Sequence, residues 1–430
     1  MTLFFLLLML LILVLSGVPV ILSIGLVGLT GFAAIPDLPL ALMPQRSFAM
    51  LDSFSLLALP YFILAGALMA RGGIAERLVS FAELLVGHIR GNLGLTTVMS
   101  CTMMANVSGS SVAEAAAVGE IVIPEMKKRG YRPGHAAAIT SASATIGPII
   151  PPSMTMIVYG SLAGVSIGGL FMAGILPGLL IAFLFMLVIY FWSYIPGVPG
   201  IADTRPKPEK GLLWEAVKRE WAVLMAPVII LGGILTGIFT ATEAGIVACI
   251  YALLVSMFLY KTLTVKDLPG IMFDAAVAAS MTVGIIALAG PLGWLLSYLN
   301  FSQIFLSGLQ SISKDGTVIL ILIILMSMFL TMFIESLSVL IVLIPVTSYC
   351  AQVYGYDPLA LGVMLVISTQ VGALTPPVAV LLFVTTATAK CKLTDTAAHV
   401  WPFILVLCFV QCILIFFPQL ANFIPRLTMG

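Results

Sequence analysis

Long apolar runs, separated by short polar or glycine- and proline-rich segments, dominate the chain. The first run, from Leu3 to Ala34, fits either one long tilted helix or two short helices broken near Gly17 and Pro19. Later runs of roughly 20 residues have the length of a bilayer-spanning helix. They lie near 54–70, 170–194, 221–239, 242–260, 269–299 and 400–424. Together with shorter runs, they predict an all-α polytopic membrane protein with about 10–12 transmembrane segments.

Residues 76–90 and 300–313 show a different pattern, with apolar side chains on one helical face and polar side chains on the other. In the first segment Leu78, Phe81 and Leu85 share the apolar face. This spacing is typical of a helix that lies in the membrane interface. Residues 213–224 show the same spacing, so a third interfacial helix is expected there.

Two regions contain apolar pieces that are too short to cross a bilayer singly. The pieces 93–107 and 112–126 flank a Ser-Gly-Ser-Ser tip at 108–111, which favours a re-entrant helical hairpin. The following run, 133–164, contains three prolines within 147–152 and must therefore be a broken helix. The same hairpin and break recur later in the chain, around 335–338 and 372–377.

These two regions are copies of one backbone plan, related by a shift of 225 residues without a gap. Shared glycines and prolines indicate shared turns and helix breaks, whereas aligned leucines would mean little in so apolar a chain. Gly91, Ser111, Gly130, Tyr131, Pro133, Ser143, Gly147, Pro151 and Pro152 fall on Gly316, Ser336, Gly355, Tyr356, Pro358, Ser368, Gly372, Pro376 and Pro377.

The charges that follow each hairpin indicate that the copies are inverted in the membrane. Residues 127–132 carry four positive charges, whereas the equivalent 353–357 carry none and include Asp357. By the positive-inside rule the first loop is cytoplasmic and the second is outside. Inverted repeats that each contain a broken helix are typical of secondary transporters, whose substrate and ion sites lie where the breaks meet.

Composition excludes other classes of protein. Hydrophobic residues make up 61% of the chain and charged residues only 9%, which fits neither a soluble domain nor a disordered chain. The net charge of +1 offers no basic surface for nucleic acid. The N-terminal run lacks the positive region of a signal peptide, so a retained membrane segment is expected. The six cysteines show no metal-ligand spacing and are interpreted as reduced packing residues.

The tips and breaks carry the candidate chemistry. Unwinding at 147–152 frees carbonyl oxygens, and Ser108, Ser110 and Ser111 add hydroxyls opposite them. Neutral oxygen ligands of this kind suit a hard monovalent cation such as Na⁺. The second copy offers Gly372, Thr375 and Glu335, and the polar register partners Asn106 and Thr331 lie in otherwise apolar runs.

An anion site is expected between the two cation sites. The helices that begin after each tip and break present positive dipole ends and unpaired amides, which attract a carboxylate. The hydroxyls near these helix starts are candidate substrate contacts, namely Ser111, Ser153 and Ser336.

Several alternatives remain open from the residues alone. The serines at 108–111 could simply permit close helix packing. Glu335 could be a proton site of a stand-alone H⁺-coupled carboxylate carrier, or a hairpin-tip residue wetted by a vestibule. An intramembrane serine enzyme lacks a histidine or lysine partner at membrane depth. The remaining acidic residues of the apolar segments are interpreted as structural or gating residues: Glu114, Glu120, Glu243 and Asp274.

The chain resembles one family in particular, the large membrane subunit (M subunit) of tripartite ATP-independent periplasmic (TRAP) transporters. The matching motifs extend over nearly the whole chain, and they lie at 52–66, 108–113, 123–131, 146–153, 239–244 and 374–377. The resemblance implies an elevator-type, Na⁺-driven importer of organic acids. It also implies two partners, a small four-helix membrane subunit and a soluble periplasmic binding protein that delivers the substrate.

Carried onto this chain, the resemblance assigns two Na⁺ sites. The first would use Ser108, Ser110, Gly147, Ile150 and Pro152, and the second would use Thr331, Glu335, Gly372, Thr375 and Pro377. No organic cofactor is implied. The second hairpin of the family commonly has the shorter aspartate where this chain has Glu335.

The expected function is Na⁺-coupled import of a small organic acid, of the C4-dicarboxylate or sialic acid class, across the bacterial inner membrane. The expected domain plan places scaffold helices and the first arm at 1–90, and scaffold helices with a cytoplasmic linker (196–220) and the second arm at 166–315. The two transport repeats are 91–165 and 316–390, and a C-terminal span follows at 391–430.

Overall fold

The computed structural model of the protein describes residues 2–36, 38–195 and 211–428, except for the side chains of Leu15 and Val107. Every regular element among these residues is helical. Most of the predicted linker, including Arg205, Lys207 and Lys210, lies outside the described residues. The α-helices are α1 (Thr2–Leu15), α2 (Val20–Ala34), α3 (Leu42–Leu51), α4 (Ala58–Arg71), α5 (Ile74–Val86), α6 (Asn92–Ser108), α7 (Ser111–Lys128), α8 (Pro133–Ala144), α9 (Met154–Ala163), α10 (Ile167–Trp192), α11 (Leu212–Leu235), α12 (Ala241–Leu254), α13 (Leu268–Tyr298), α14 (Phe301–Gln310), α15 (Gly316–Thr331), α16 (Ser336–Tyr354), α17 (Pro358–Leu374), α18 (Val380–Ala389), α19 (Leu393–Phe416) and α20 (Gln419–Thr428).

Six helical segments of the described chain are long and apolar enough to cross a bilayer, which confirms an all-α multi-pass protein. Other apolar helices of the described residues are only 10–17 residues long, and they include α9 and both halves of the second broken helix, α17 and α18. Half-length helices complete a crossing only in combination, so the total of 10–12 transmembrane segments stays a prediction. The six segments are 54–71, 167–192, 241–259, 268–298, 336–354 and 393–416.

The N-terminal run forms two helices rather than one. α1 and α2 pack against each other and are joined by a turn in which Gly17 has a φ of 80°. Pro19 directly precedes α2, where its fixed φ is compatible with a helix start and its missing amide removes no hydrogen bond of the helix. The predicted interfacial helix at 213–224 is instead the first part of α11, which continues to Leu235 without a break.

The glycine and proline register of the repeat has a direct structural cause. Gly130 and Gly355 follow the second helix of each hairpin with φ values of 87° and 69°, in the left-handed region that side chains disfavour. Pro133 and Pro358 are the first residues of α8 and α17, where no intrahelical amide is needed. The two copies therefore turn and restart at equivalent points.

The helices fall into two groups by their packing. α13 packs against α2, α3 and α4, and α12 packs against α4 and α11; we call α1–α4 and α11–α13 the outer group. The two hairpins and two broken helices pack against one another and against α10, α19 and α20; we call α6–α10 and α15–α20 the core group. Because α10 packs against α6, α17 and α20, we assign it to the core group.

The two amphipathic segments form α5 and α14, which we call the arm helices. Each packs against helices of both groups. α5 buries the predicted face, including Leu78, Phe81 and Ala82. It pairs with the outer group through Arg77, whose guanidinium lies 3.1 Å from Glu220 Oε2 of α11. It pairs with the core group through Glu83, which lies 3.5 Å from Arg129 at the end of α7. The first arm therefore has polar contacts to both groups.

Candidate functional site

The first hairpin ends in a tight tip that lies directly on the first helix break. α6 ends at Ser108, Gly109 has a left-handed φ of 58°, and Ser110 is the extended N-cap of α7. The carbonyl oxygen of Gly109 accepts a hydrogen bond from Met154 N (3.4 Å), and a side chain at Gly109 would meet the backbone of Pro152. Glycine is required here both for the turn and for the close approach of two backbones.

The first break consists of residues 145–153, between α8 and α9, and contains one cis proline–proline peptide bond. Ser153 caps α9 by accepting a hydrogen bond from Met156 N (3.2 Å). The Ser153 hydroxyl also donates to the carbonyl oxygen of Pro148 (2.5 Å) and is fully buried. The predicted substrate contact Ser153 thus stabilises the break itself in this structure.

The first site contains a carboxylate that the sequence did not assign to it. Glu114, in the first turn of α7, is fully buried, and its Oε1 accepts a hydrogen bond from the Ser108 hydroxyl (3.0 Å). Its Oε2 is buried and has no hydrogen-bond partner among the described residues. A Cβ on Gly147 would lie 2.5 Å from Glu114 Cδ, so the carboxylate lies directly over the backbone of the break. Glu114 therefore joins the hairpin to the break.

A signal for Glu114 was present in the sequence. Glu114 follows Ser110 by four residues, and this spacing places the two side chains on the same side of a helix start. Its register partner in the second copy is Val339, so the acidic residue is not part of the repeated pattern. The repeat therefore does not mark Glu114.

The second hairpin has the same backbone plan with different side chains. α15 ends at Thr331, and Glu335 is the extended N-cap of α16. Glu335 Oε2 accepts a hydrogen bond from Ser338 N (3.2 Å), while the residue as a whole is exposed at the tip. The second break follows α17, and Ala379 N donates to the carbonyl oxygen of Met332 in the tip (3.4 Å).

Each copy has one backbone hydrogen bond between tip and break. Its donors, Met154 N and Ala379 N, differ by the repeat shift of 225 residues, but its acceptors do not, because the register partner of Gly109 is Ile334 and the acceptor in the second copy is Met332 O. The register-equivalent glycines also differ in place, since Gly147 lies in the first break and Gly372 in the last turn of α17. Gly147 faces Glu114, whereas Gly372 faces the Thr331 hydroxyl. That hydroxyl also donates to a carbonyl oxygen within α15 (2.8 Å).

The other predicted cation ligands differ in their surroundings. Asn106 Nδ2 donates to the Thr102 carbonyl oxygen (3.2 Å) within α6, and Thr375 Oγ1 donates to the Val371 carbonyl oxygen (2.6 Å) within α17. The Ile150 side chain packs against Gly178 of α10, so the backbone of Ile150 is the part that remains available in the break. Pro377 follows the second cis peptide bond, at the position equivalent to Pro152.

The remaining predicted substrate contacts lie at the first residues of two helices. Ser111 begins α7 and Ser336 begins α16, and both are buried. The Ser336 hydroxyl donates to the Thr369 carbonyl oxygen (3.5 Å), which connects the second hairpin to α17. Both residues therefore occupy helix starts, where the peptide dipoles favour a bound anion.

The two copies interlock at the centre of the core group. α9 packs against α16 of the second hairpin, and α18 packs against α7 and α8 of the first copy. Ser141 Oγ and Thr385 Oγ1 are 2.5 Å apart across the α8–α18 contact. Ala144, the last residue of α8, shares a small apolar cluster with Ala373 near the end of α17. Both breaks therefore face one central region.

The ligands available in this region are hydroxyls, backbone oxygens and carboxylates. The described residues contain no group of three or more His, Cys, Asp or Glu side chains that could hold a metal ion. Neither Glu114 nor Glu335 has an ion-pair partner in the described part of the chain. Oxygen ligands with little competing charge suit a hard cation rather than a transition metal.

An all-helical bundle with two crossed hairpin–break units defines the protein as a membrane transporter, and the comparisons with known proteins agree. The family described as tripartite ATP-independent periplasmic transporter, DctM component, matches residues 7–420. The YdaH transporter of Alcanivorax borkumensis has a similar fold, with a TM-score of 0.61 over 87% of this chain and 86% of that chain, at 14% identity.

Three relatives agree with this assignment. The sialic acid TRAP transporter large permease protein SiaM of Vibrio cholerae is 35% identical, over 96% of both chains. The C4-dicarboxylate large permease protein DctM of Rhodobacter capsulatus is 30% identical over 96% of this chain and 97% of its own. The 2,3-diketo-L-gulonate large permease protein YiaN of Escherichia coli is 34% identical over 94% of each.

The chain therefore belongs to the DctM family and is a TRAP transporter large permease protein. It is a multi-pass protein of the bacterial inner membrane and a secondary transporter of organic acids, not an enzyme. The resemblance stated from sequence motifs is thereby confirmed. Large permease subunits of this family work with a small membrane subunit and a periplasmic binding protein.

Proposed function

We propose that this permease imports a small organic acid together with Na⁺, taking the substrate from a periplasmic binding protein and working with a small membrane subunit. The observation that carries the proposal is the paired contact between hairpin tip and helix break, Gly109 O with Met154 N and Met332 O with Ala379 N. In both copies this contact brings hydroxyl oxygens of the tip next to an unwound backbone. Two such oxygen-lined sites suit two Na⁺ ions.

Each proposed cation site combines one tip with one break. The polar side chains of the tip supply hydroxyl oxygens, and the break supplies carbonyl oxygens. Glu335 is proposed to lie at the rim of the second site, because it is exposed at the tip and caps α16. Asn106 stays a candidate ligand of the first site. The first site uses Ser108, Ser110, Gly147, Ile150 and Pro152, and the second uses Thr331, Gly372, Thr375 and Pro377.

The substrate anion is proposed to bind between the two sites, at the starts of α7, α9, α16 and α18. These starts converge because α9 packs on α16 and α18 packs on α7. Their positive dipole ends attract a carboxylate, and bound Na⁺ adds to that attraction. Ser111, Ser153 and Ser336 lie at or beside these starts. The names of three relatives mention sialic acid, C4-dicarboxylates and 2,3-diketo-L-gulonate, all of which carry carboxylates.

The core group is proposed to move as one body against the outer group, in an elevator-like step. Dense packing between α9, α16, α7 and α18 opposes separation of the two sites from each other. The arm helices α5 and α14 connect the two groups along the chain. In this scheme α10, α19 and α20 move with the hairpins, because they pack on them.

Uptake by proteoliposomes tests this proposal. The chain is reconstituted with its small membrane subunit and binding protein, and labelled C4-dicarboxylate or sialic acid is supplied with an inward Na⁺ gradient. Ser110→Trp and Thr375→Trp should each abolish Na⁺-dependent uptake, whereas Phe48→Trp, at an exposed apolar position of α3, should retain it. Unchanged Na⁺ dependence in both site variants would refute the site assignment. Uptake driven by a pH gradient alone, without a binding protein, would favour the H⁺-coupled carrier instead.

A further inference from the structure

We propose that Glu114 is a ligand of the first cation site, so that this site binds Na⁺ with a negative charge of its own while the second site binds it with neutral oxygens. The inference rests on the proposed Na⁺ coupling and adds a residue that neither the repeat nor the comparisons assign. It also assigns the two sites different affinities and different cation preferences.

The geometry places the Glu114 carboxylate inside the first site. Oε1 accepts a hydrogen bond from the hydroxyl of Ser108 in the tip (3.0 Å). A Cβ on Gly147 would lie 2.7 Å from Oε2, so the second oxygen lies against the unwound backbone. Glu114 thus contacts the tip and the break at once, and a cation held between them would lie within reach of the carboxylate.

The unpaired oxygen is the observation that points to a ligand. Glu114 is fully buried, and its Oε2 has no hydrogen-bond partner in the described part of the chain. A buried carboxylate without a partner is costly, particularly at membrane depth. Three of the helices packed on α7 offer Glu114 no positively charged partner: α18 contains no ionisable side chain, α8 contains only His135 at the end remote from Gly147, and α6 contains only the thiol of Cys101. A bound cation would supply the missing partner.

The second copy has no counterpart to this carboxylate. The register partner of Glu114 is Val339, which is buried and apolar. The group that faces the second break glycine is the Thr331 hydroxyl, and Glu335 caps α16 from the exposed tip. The two sites therefore share a backbone frame but differ by one charge at the ion.

This difference has a measurable consequence. A carboxylate oxygen binds a small hard cation more tightly than a hydroxyl or carbonyl oxygen does, and it favours cations of higher charge density. The first site should therefore bind Na⁺ more tightly than the second, and its preference for Li⁺ relative to Na⁺ should depend on the length of the acidic side chain.

The closing experiment measures cation binding directly, without transport. The full-length chain is purified in detergent, and its thermal stability is recorded against NaCl, LiCl and choline chloride at constant ionic strength, because a ligand that binds only the folded state raises stability with its concentration. Glu114→Gln should raise the Na⁺ concentration required for half of the stabilisation by about tenfold or more, the loss typical of a charged contact. Glu120→Gln, an exposed position two turns away on α7, is the matched control and should not change it.

A second variant keeps the inference testable if Glu114→Gln does not fold. Glu114→Asp retains the charge and withdraws the oxygens by one methylene, so it should change the ratio of the Li⁺ and Na⁺ responses while remaining stabilised by cations. A ratio equal to that of the wild type would overturn the inference, as would an unchanged Na⁺ response in a folded Glu114→Gln. No Na⁺-specific stabilisation of the wild type would instead refute Na⁺ coupling itself and the role of Glu114 with it.

Discussion

The two hairpin–break units have the same order of helices and different chemistry. In the first unit the acidic residue, Glu114, points inward onto the break; in the second the acidic residue, Glu335, is exposed and caps a helix. Each unit has one backbone hydrogen bond from its break to its tip, with register-equivalent donors and different acceptors. The internal repeat thus preserves the order of hairpin and break, whereas the charge inside each site follows from side chains that the repeat does not share.

The register-equivalent glycines Gly147 and Gly372 also differ in their steric surroundings. The three atoms nearest to a Cβ on Gly147 all belong to the Glu114 side chain. A side chain at Gly372 would meet the Thr331 side chain and also the backbone carbonyl of Met328. A side chain can rotate away from an added Cβ, but the backbone of a packed helix cannot. Position 372 should therefore tolerate a side chain less well than position 147.

The largest expected effect comes from filling these glycines. Gly147→Ala and Gly372→Ala should each reduce Na⁺-dependent uptake to background and lower the stability by about 1–3 kcal/mol, the usual cost of overpacking. Adding Glu114→Ala should restore the thermal stability of Gly147→Ala, because it removes the three atoms nearest to the new Cβ. Adding Thr331→Ala should not restore Gly372→Ala, because the Met328 carbonyl remains.

Thermal unfolding in detergent, followed by size-exclusion chromatography, measures both pairs. Restoration of both double variants, or of neither, would contradict the proposed difference between the breaks. The single variants Glu114→Ala and Thr331→Ala are the necessary references, because the comparison concerns the interaction between two positions.

An intermediate effect is expected from Glu335→Ala. The variant removes the N-cap of α16 and should cost about 1 kcal/mol of stability, as cap deletions usually do. Because Glu335 is exposed at the tip, the Na⁺ concentration for half-maximal uptake should remain near that of the wild type, unlike that of Glu114→Gln. A Na⁺ titration of uptake distinguishes the two. A loss of Na⁺ response as large as that of Glu114→Gln would place Glu335 among the ligands.

The smallest effect is expected from Ala379→Gly at the end of the second break. Ala379 has a φ of 51°, in a region that costs an L-residue about 1–2 kcal/mol and glycine almost nothing. The entropic cost of glycine offsets part of this gain, so the variant should be more stable by about 1 kcal/mol or less. Ala387→Gly, in the interior of α18, is the control and should be less stable. A destabilised Ala379→Gly would show that this conformation carries no strain.

Much of the fold followed from the sequence because lipid restricts what a chain can do. With no water to satisfy the backbone, long apolar runs must become helices, and prolines or glycines within them must become breaks or turns. The hairpin around 108–111, the break around 147–152 and the arm α5 all lie where the pattern predicted them. The continuous α11 differed, because an amphipathic start followed by an apolar run can form either two helices or one.

The site was predicted less completely than the fold. Gly109 lies on the break and Ser108 bonds to Glu114 beside it. The Ser-Gly-Ser-Ser tip marked both positions, whereas the repeat pairs them with Phe333 and Ile334. The ligand roles of Ser153 and Glu335 stay predictions. In this structure Ser153 hydrogen-bonds within its own loop, and Glu335 caps a helix. These are local hydrogen bonds whose geometry depends on backbone angles that residue types alone do not specify.

The sequence by itself determined the class of protein, the repeat and the positions of tips and breaks, since each follows from apolar length, charge bias and the conformational limits of glycine and proline. Only the tertiary structure decided which helix lies against which, and so which acidic residue faces a break. Glu114 and Glu335 both lie at the start of the second helix of a hairpin. Their different roles arise because burial and contact depend on segments distant in sequence, here Gly147 over Glu114 and open surface around Glu335.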